Sequence, residues 1–82
     1  MVFEVVFNRS AYKTLESLPR NVQERVYAKL KLIEVSPFEY LESFEGDYYK
    51  LRIGDYRALI EVDFDKRIIF VRELDKRERI YR

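Results

Sequence analysis

Residues 48–63 read Tyr-Tyr-Lys-Leu-Arg-Ile-Gly-Asp-Tyr-Arg-Ala-Leu-Ile-Glu-Val-Asp, and this stretch decides the fold. Two β-rich runs, Tyr48–Ile53 and Tyr56–Asp63, flank Gly54-Asp55, the layout of an antiparallel hairpin. Side chains alternate along the first run. Tyr49, Leu51 and Ile53 fall on one face, assigned to the core; Tyr48, Lys50 and Arg52 fall on the other, assigned to an open face. A further β-rich run, Arg67–Leu74, follows a turn at Asp65-Lys66 and extends the hairpin into a three-stranded antiparallel meander.

Upstream of the meander the hydrophobic period changes twice. Val2, Phe3, Val5, Val6 and Phe7 read as a strand that ends at Asn8-Arg9. Ala11, Leu15 and Leu18 then recur at helical spacing, with Asn8 or Ser10 available as the cap. Pro19 ends that helix and can open the next, where Val22, Val26, Leu30 and Ile33 form an apolar stripe. This second helix should stop near Ser36-Pro37, because the residue before a proline disfavours the helical region. Phe38–Gly46 reads as a loop. The order strand, helix, helix, three strands gives an α+β domain of two layers (β-α-α-β-β-β), with the antiparallel helix hairpin on one face of the sheet and residues 1–82 forming a single domain.

Composition narrows the chemistry. The chain has no Cys and no His, so a disulfide framework, a thiolate site and the usual neutral-pH base are all missing, and no metal or other cofactor is expected. No apolar run is long enough to span a bilayer and the first residues lack a signal-peptide layout, so a cytoplasmic protein without membrane contacts is expected. The net charge of only +1 is low for a nucleic-acid binder, but positive charge gathers in Lys76, Arg77, Arg79 and Arg82. On charge alone that tail reads as a solvated basic segment.

Arg57 stands inside a mostly apolar run, which suggests either a buried ion pair with Asp55 or Glu61, or a phosphate site at the sheet edge. Guanidinium groups near it would stabilise the charge of a phosphorane-like transition state, and Tyr81 could stack on a base or join in proton transfer. The four serines have no His to activate them, and the two glycines form no phosphate loop.

Taken together, the string Tyr49-Lys50-Leu51-Arg52-Ile53-Gly54-Asp55-Tyr56-Arg57 resembles the central signature of the RelE/ParE toxin superfamily, Tyr-x-x-Arg-x-Gly-Asp-Tyr-Arg. Lys76-Arg77-Glu78-Arg79-Ile80-Tyr81 resembles the closing basic cluster and near-terminal tyrosine of the RelE-like branch. The resemblance implies the toxin of a type II toxin–antitoxin system. It implies a ribosome-dependent endoribonuclease that cuts mRNA in the A site by attack of the ribose 2′-hydroxyl on the scissile phosphate, without metal. Carried over, Lys50, Arg57, Arg77 and Tyr81 are the expected catalytic residues, and Arg52, Lys76 and Arg79 the expected RNA contacts. Expected partners are a RelB-like antitoxin, the ribosome and mRNA, with no small-molecule cofactor. Two alternatives keep the same fold: a ParE-like DNA gyrase inhibitor without nuclease activity, and an inactive relative that only binds an antitoxin.

Overall fold

A computed structural model describes residues 2–76 of the chain. Its elements run β1 (Glu4–Phe7), α1 (Arg9–Ser17), α2 (Arg20–Val35), α3 (Pro37–Tyr40), β2 (Glu42–Ser43), β3 (Tyr48–Ile53), β4 (Tyr56–Asp63) and β5 (Ile68–Lys76). The strands form one five-stranded sheet in the order β1-β5-β4-β3-β2. The β2–β3, β3–β4 and β4–β5 pairs are antiparallel, and β1 lies parallel to β5.

Local chemistry sets the helix ends. Asn8 caps α1: its backbone is extended and its side chain accepts from the Ala11 amide at 2.9 Å, satisfying one of the orphan donors of the first turn. Pro19 separates the helices and its carbonyl accepts from the amides of Val22 and Gln23, so the residue that ends α1 also starts α2. The Gln23 side chain donates to the Leu18 carbonyl at 2.9 Å and ties the corner down. No described helix is long and apolar enough to cross a membrane.

The core lies between the helix pair and one face of the sheet. Ala11 and Leu15 of α1 and Val26, Leu30 and Ile33 of α2 meet Leu51 and Ile53 of β3, Ala58 and Ile60 of β4, and Ile69, Val71 and Leu74 of β5. The pairings Leu51 with Ala58, Ala58 with Leu74 and Ile60 with Val71 keep these side chains on one face, as the alternation requires. Both helices therefore cover one side of the sheet, the two-layer α+β arrangement the sequence predicts. A β-bulge interrupts the β4–β5 ladder at Leu59/Ile60, so that Arg72 and Glu73 are both exposed before Leu74 returns to the core.

Several details differ from the sequence reading. The stretch expected to be a loop holds α3 and β2, elements of four and two residues, too short to show a period. Pro37 opens α3 at a position where its missing amide costs nothing. The sequence pattern places Arg67 in the last strand, but it belongs to the turn before it, with φ of +57°; the strand runs on to Lys76 instead of stopping at Leu74, and β1 begins at Glu4 instead of Val2.

Candidate nucleic-acid interface

The face of the sheet away from the helices carries three of the expected basic residues, Lys50, Arg52 and Arg57. One row across it is Arg52, Arg57 and Asp75; the next is Lys50, Leu59 and Glu73. These rows exist because Lys50 and Arg52 alternate with the buried Leu51 and Ile53, and because Gly54, at φ +59°, lets the chain reverse so that Arg57 returns opposite Arg52.

Arg57 is the single charged residue among those buried in the described region, with 2% of its surface exposed. Its Nη1 donates to the Tyr56 carbonyl at 2.9 Å and to the Gly54 carbonyl at 3.3 Å. The guanidinium is thus fixed against the backbone of the β3–β4 turn. Burying a permanently charged group is tolerated only when such acceptors surround it. Glu61, one of the acids the sequence offered as its partner, is engaged elsewhere: its Oε1 lies 3.1 Å from Nε of Arg72 across the bulge.

Lys50 is held from the neighbouring strand. Its Nζ lies 3.8 Å from Glu42 Oε1 and 5.7 Å from the centroid of the Phe44 ring, and its side chain is 18% exposed. The carboxylate and the aromatic face restrain the side chain at this place. Neither partner was visible in the sequence, because both come from the segment read as loop. The signal that could have found them is Glu42-Ser43-Phe44 itself, a short polar–aromatic edge beside a strand that needed a neighbour.

Arg52 is exposed on the same row as Arg57. Lys76 is also exposed, but its register partner is Tyr56, one step out of phase with the Arg52–Arg57 row. Its amide donates to Asp75 Oδ1 at 2.7 Å, which fixes the end of β5. The structure thus brings Lys50, Arg52 and Arg57 to one face and sets Lys76 beside it. Arg77, Arg79 and Tyr81 lie outside the described residues.

Around this basic group the open face is mixed in sign, with Glu42, Glu61, Glu73 and Asp75 interleaved. Such a surface attracts a polyanion locally and only weakly at long range. What the face offers an anion is an exposed arginine, a buried and backbone-held one in the same row, and a restrained lysine in the next row.

Comparison with known proteins agrees with this architecture. Residues 5–81 match the family described as ParE toxin of type II toxin–antitoxin system, parDE. The RelE1 protein of Methanocaldococcus jannaschii is 27% identical, with the match covering 100% of this chain and 98% of that protein. The fold superposes on the archaeal RelE of the RelE–RelB complex from Pyrococcus horikoshii OT3 with a TM-score of 0.80, at 26% identity over 96% of this chain and 99% of that one. It also superposes on a double-arginine mutant of the toxin RelE of E. coli in the free state, with a TM-score of 0.75 and 30% identity over 93% of this chain and 84% of that one. The chain belongs to the ParE toxin family of type II toxin–antitoxin systems, within the RelE/ParE toxin superfamily.

Proposed function

We propose that this toxin is a ribosome-dependent endoribonuclease that cleaves mRNA in the A site. The observation that carries the reading is the Arg52–Arg57 row with Lys50 beside it, on the sheet face that the helices leave uncovered. Attack of a ribose 2′-hydroxyl on the neighbouring phosphate builds negative charge on the phosphoryl oxygens. It needs cations held in advance of the reaction more than it needs a strong nucleophile on the protein. Arg57, fixed by the Gly54 and Tyr56 carbonyls, is such a preoriented cation. Lys50, held by Glu42 and Phe44, would act on the nucleophile side or neutralise charge, and Arg52 and Lys76 would contact the flanking RNA. Arg77 and Tyr81 complete the proposed catalytic set, and Arg79 its RNA contacts, on the motif match in the sequence. Relatives named RelE at 26–30% identity support the same branch.

The description of the matching family as ParE favours a second reading, a gyrase inhibitor that uses this fold without nuclease chemistry. One experiment separates the two. Cell-free translation with the wild-type chain, Lys50→Ala and Arg57→Ala, followed by primer extension on the mRNA, should give cuts at A-site codons that require ribosomes. Those cuts should fall by about 100-fold or more when Arg57 is removed, the usual cost of deleting one preoriented donor to a transition-state oxyanion. Arrested growth with intact mRNA, together with linearised plasmid in a gyrase supercoiling assay, would establish the second reading instead.

A RelB-like antitoxin is the proposed partner. The archaeal RelE to which this chain is similar was solved as a complex with RelB. The cytoplasm, where ribosomes and mRNA are found, is the proposed location.

A further inference from the structure

The opposite end of the molecule from the Gly54 turn has a different chemistry. At the β4–β5 turn Phe64 stacks on Phe38 of α3, with ring centroids 5.5 Å apart and planes 7° from parallel, and Phe3 meets Phe64 edge-on at 6.3 Å. This cluster is only half covered: Phe38 is 68% exposed, Phe64 45% and the adjoining Val35 65%. Exposed rings stacked on each other, beside a groove lined by Phe3, Val35, Pro37 and Phe38, are more apolar surface than scattered hydrophobic residues account for.

The rim of this surface is acidic. Phe64 borders three neighbouring grooves, whose lining residues include Glu39, Asp47, Glu61, Asp63 and Asp65 against only Arg67 and Arg72. Arg72 and Glu61 engage each other, which leaves Glu39, Asp47, Asp63 and Asp65 as the carboxylates of the rim, with Lys66 exposed in the same turn. Arg67 is seated on the cluster itself, its guanidinium carbon 5.7 Å from the centroid of the Phe3 ring. The protein therefore supplies its own example of what this surface accepts: a cation laid on a phenyl face with carboxylates close by.

We propose that the Phe38–Phe64 end is a docking surface for an arginine- or lysine-bearing segment of a partner protein. Apolar side chains of that segment fill the groove by Val35 and Phe38, and its cations lie over the exposed rings and against Asp63, Asp65 and Glu39. Carboxylates around the rings repel phosphates, so the surface is unsuited to RNA even though aromatic rings alone would suit a base. This inference stands apart from the catalytic reading, since it uses none of Lys50, Arg52 or Arg57.

The test uses the whole chain and a synthetic amphipathic Leu/Arg peptide, followed by amide chemical shifts and calorimetry. Saturable binding should appear at low salt and weaken as salt rises, with shifts confined to residues 35–39 and 61–67. Phe38→Ala, at a position 68% exposed, should weaken it at least about tenfold while leaving the thermal midpoint and any mRNA cleavage unchanged. Asp63→Asn/Asp65→Asn should weaken it as well; the asparagine at 63 still offers the oxygen that accepts from the Lys66 amide at 3.0 Å. Equal binding of a Leu/Glu peptide, binding of single-stranded RNA at the same residues, or shifts scattered over the sheet would each overturn the proposal. So would a dimer forming through Phe38 and Phe64 without peptide, since the occupant would then be a second copy, and so would no peptide binding up to millimolar concentration.

Discussion

The two turns that end β4 meet the same backbone requirement in opposite ways. Each needs one residue in the left-handed region. The β3–β4 turn places Gly54 there at φ +59°, and the β4–β5 turn places Arg67 there at φ +57°. Each turn also positions an arginine. At the first, Arg57 is drawn back onto the turn carbonyls and buried; at the second, Arg67 is thrown outward onto the ring of Phe3. Glycine carries no steric cost at positive φ, whereas a side chain there costs roughly 1 kcal/mol. The glycine turn thus anchors a preoriented charge at low backbone cost, and the arginine turn tolerates strain because its side chain gains a contact. One end of the hairpin system buries a guanidinium against a glycine turn, and the other lays one on an aromatic cluster.

Breaking the first end should cost most. Arg57→Ala removes a buried group and strands the carbonyls of Gly54 and Tyr56, and we expect a loss of about 2–3 kcal/mol in urea denaturation. Arg57→Leu fills part of the space without leaving a charge to satisfy and should recover much of that stability but none of the proposed cleavage. A leucine variant that cuts mRNA at the wild-type rate would remove Arg57 from the chemistry.

Gly54→Ala sharpens the turn comparison. A methyl group there would meet only an Arg25 nitrogen at 3.5 Å, an ordinary contact, so any cost is conformational. We expect about 1–2 kcal/mol in denaturation, from the positive φ alone. Stability unchanged within error would mean that this turn readily adopts another conformation.

The exposed Arg72–Glu61 pair at the bulge should matter less. Its side chains are 43% and 41% exposed, so solvent screening leaves about 0.5 kcal/mol or less, measurable by a double-mutant cycle and reduced by salt. The smallest effect belongs to Arg67→Gly. Relief of backbone strain and loss of the contact with Phe3 are each about 1 kcal/mol and opposite in sign, so the denaturation midpoint should barely move. A drop as large as that for Gly54→Ala would show that the Arg67 side chain, not the backbone, governs its turn.

The same contrast explains what the sequence revealed. Tyr48–Ile53 and Tyr56–Asp63 appear as strands with the bounds expected of them, since a two-residue Gly-Asp turn between β-rich runs leaves little freedom. Helix α2 ends at Val35, before Ser36-Pro37, for an equally local reason. The second turn was harder to place. Arg67 carries no local sign of positive φ, so it read as strand, and α3 and β2 are too short for any period to mark them. Lys50 and Arg52 were legible on the open face because β3 alternates strictly. The surroundings of Arg57 were not legible. The acceptors of its Nη1 include two main-chain carbonyls, which every sequence supplies and no sequence pattern announces. Glu42 and Phe44 beside Lys50 were missed with the strand that carries them.

The placing of β5 has a consequence for how the molecule comes into being. Among the described residues, the sheet-forming segment made last sits inside the sheet, between β1 and β4, and β1 must wait through the 60 residues between Phe7 and Ile68 for its parallel neighbour. Closing so long a loop carries an entropic cost before any contact repays it, and folding slows as such non-local pairings come to dominate. During synthesis the helix pair and the β3–β4 hairpin can form early, but Ile69, Val71 and Leu74 complete the core only when β5 inserts. A nascent chain that stops short of Ile68 therefore lacks the inner strand of its sheet. The described core is then complete only once β5 has been made.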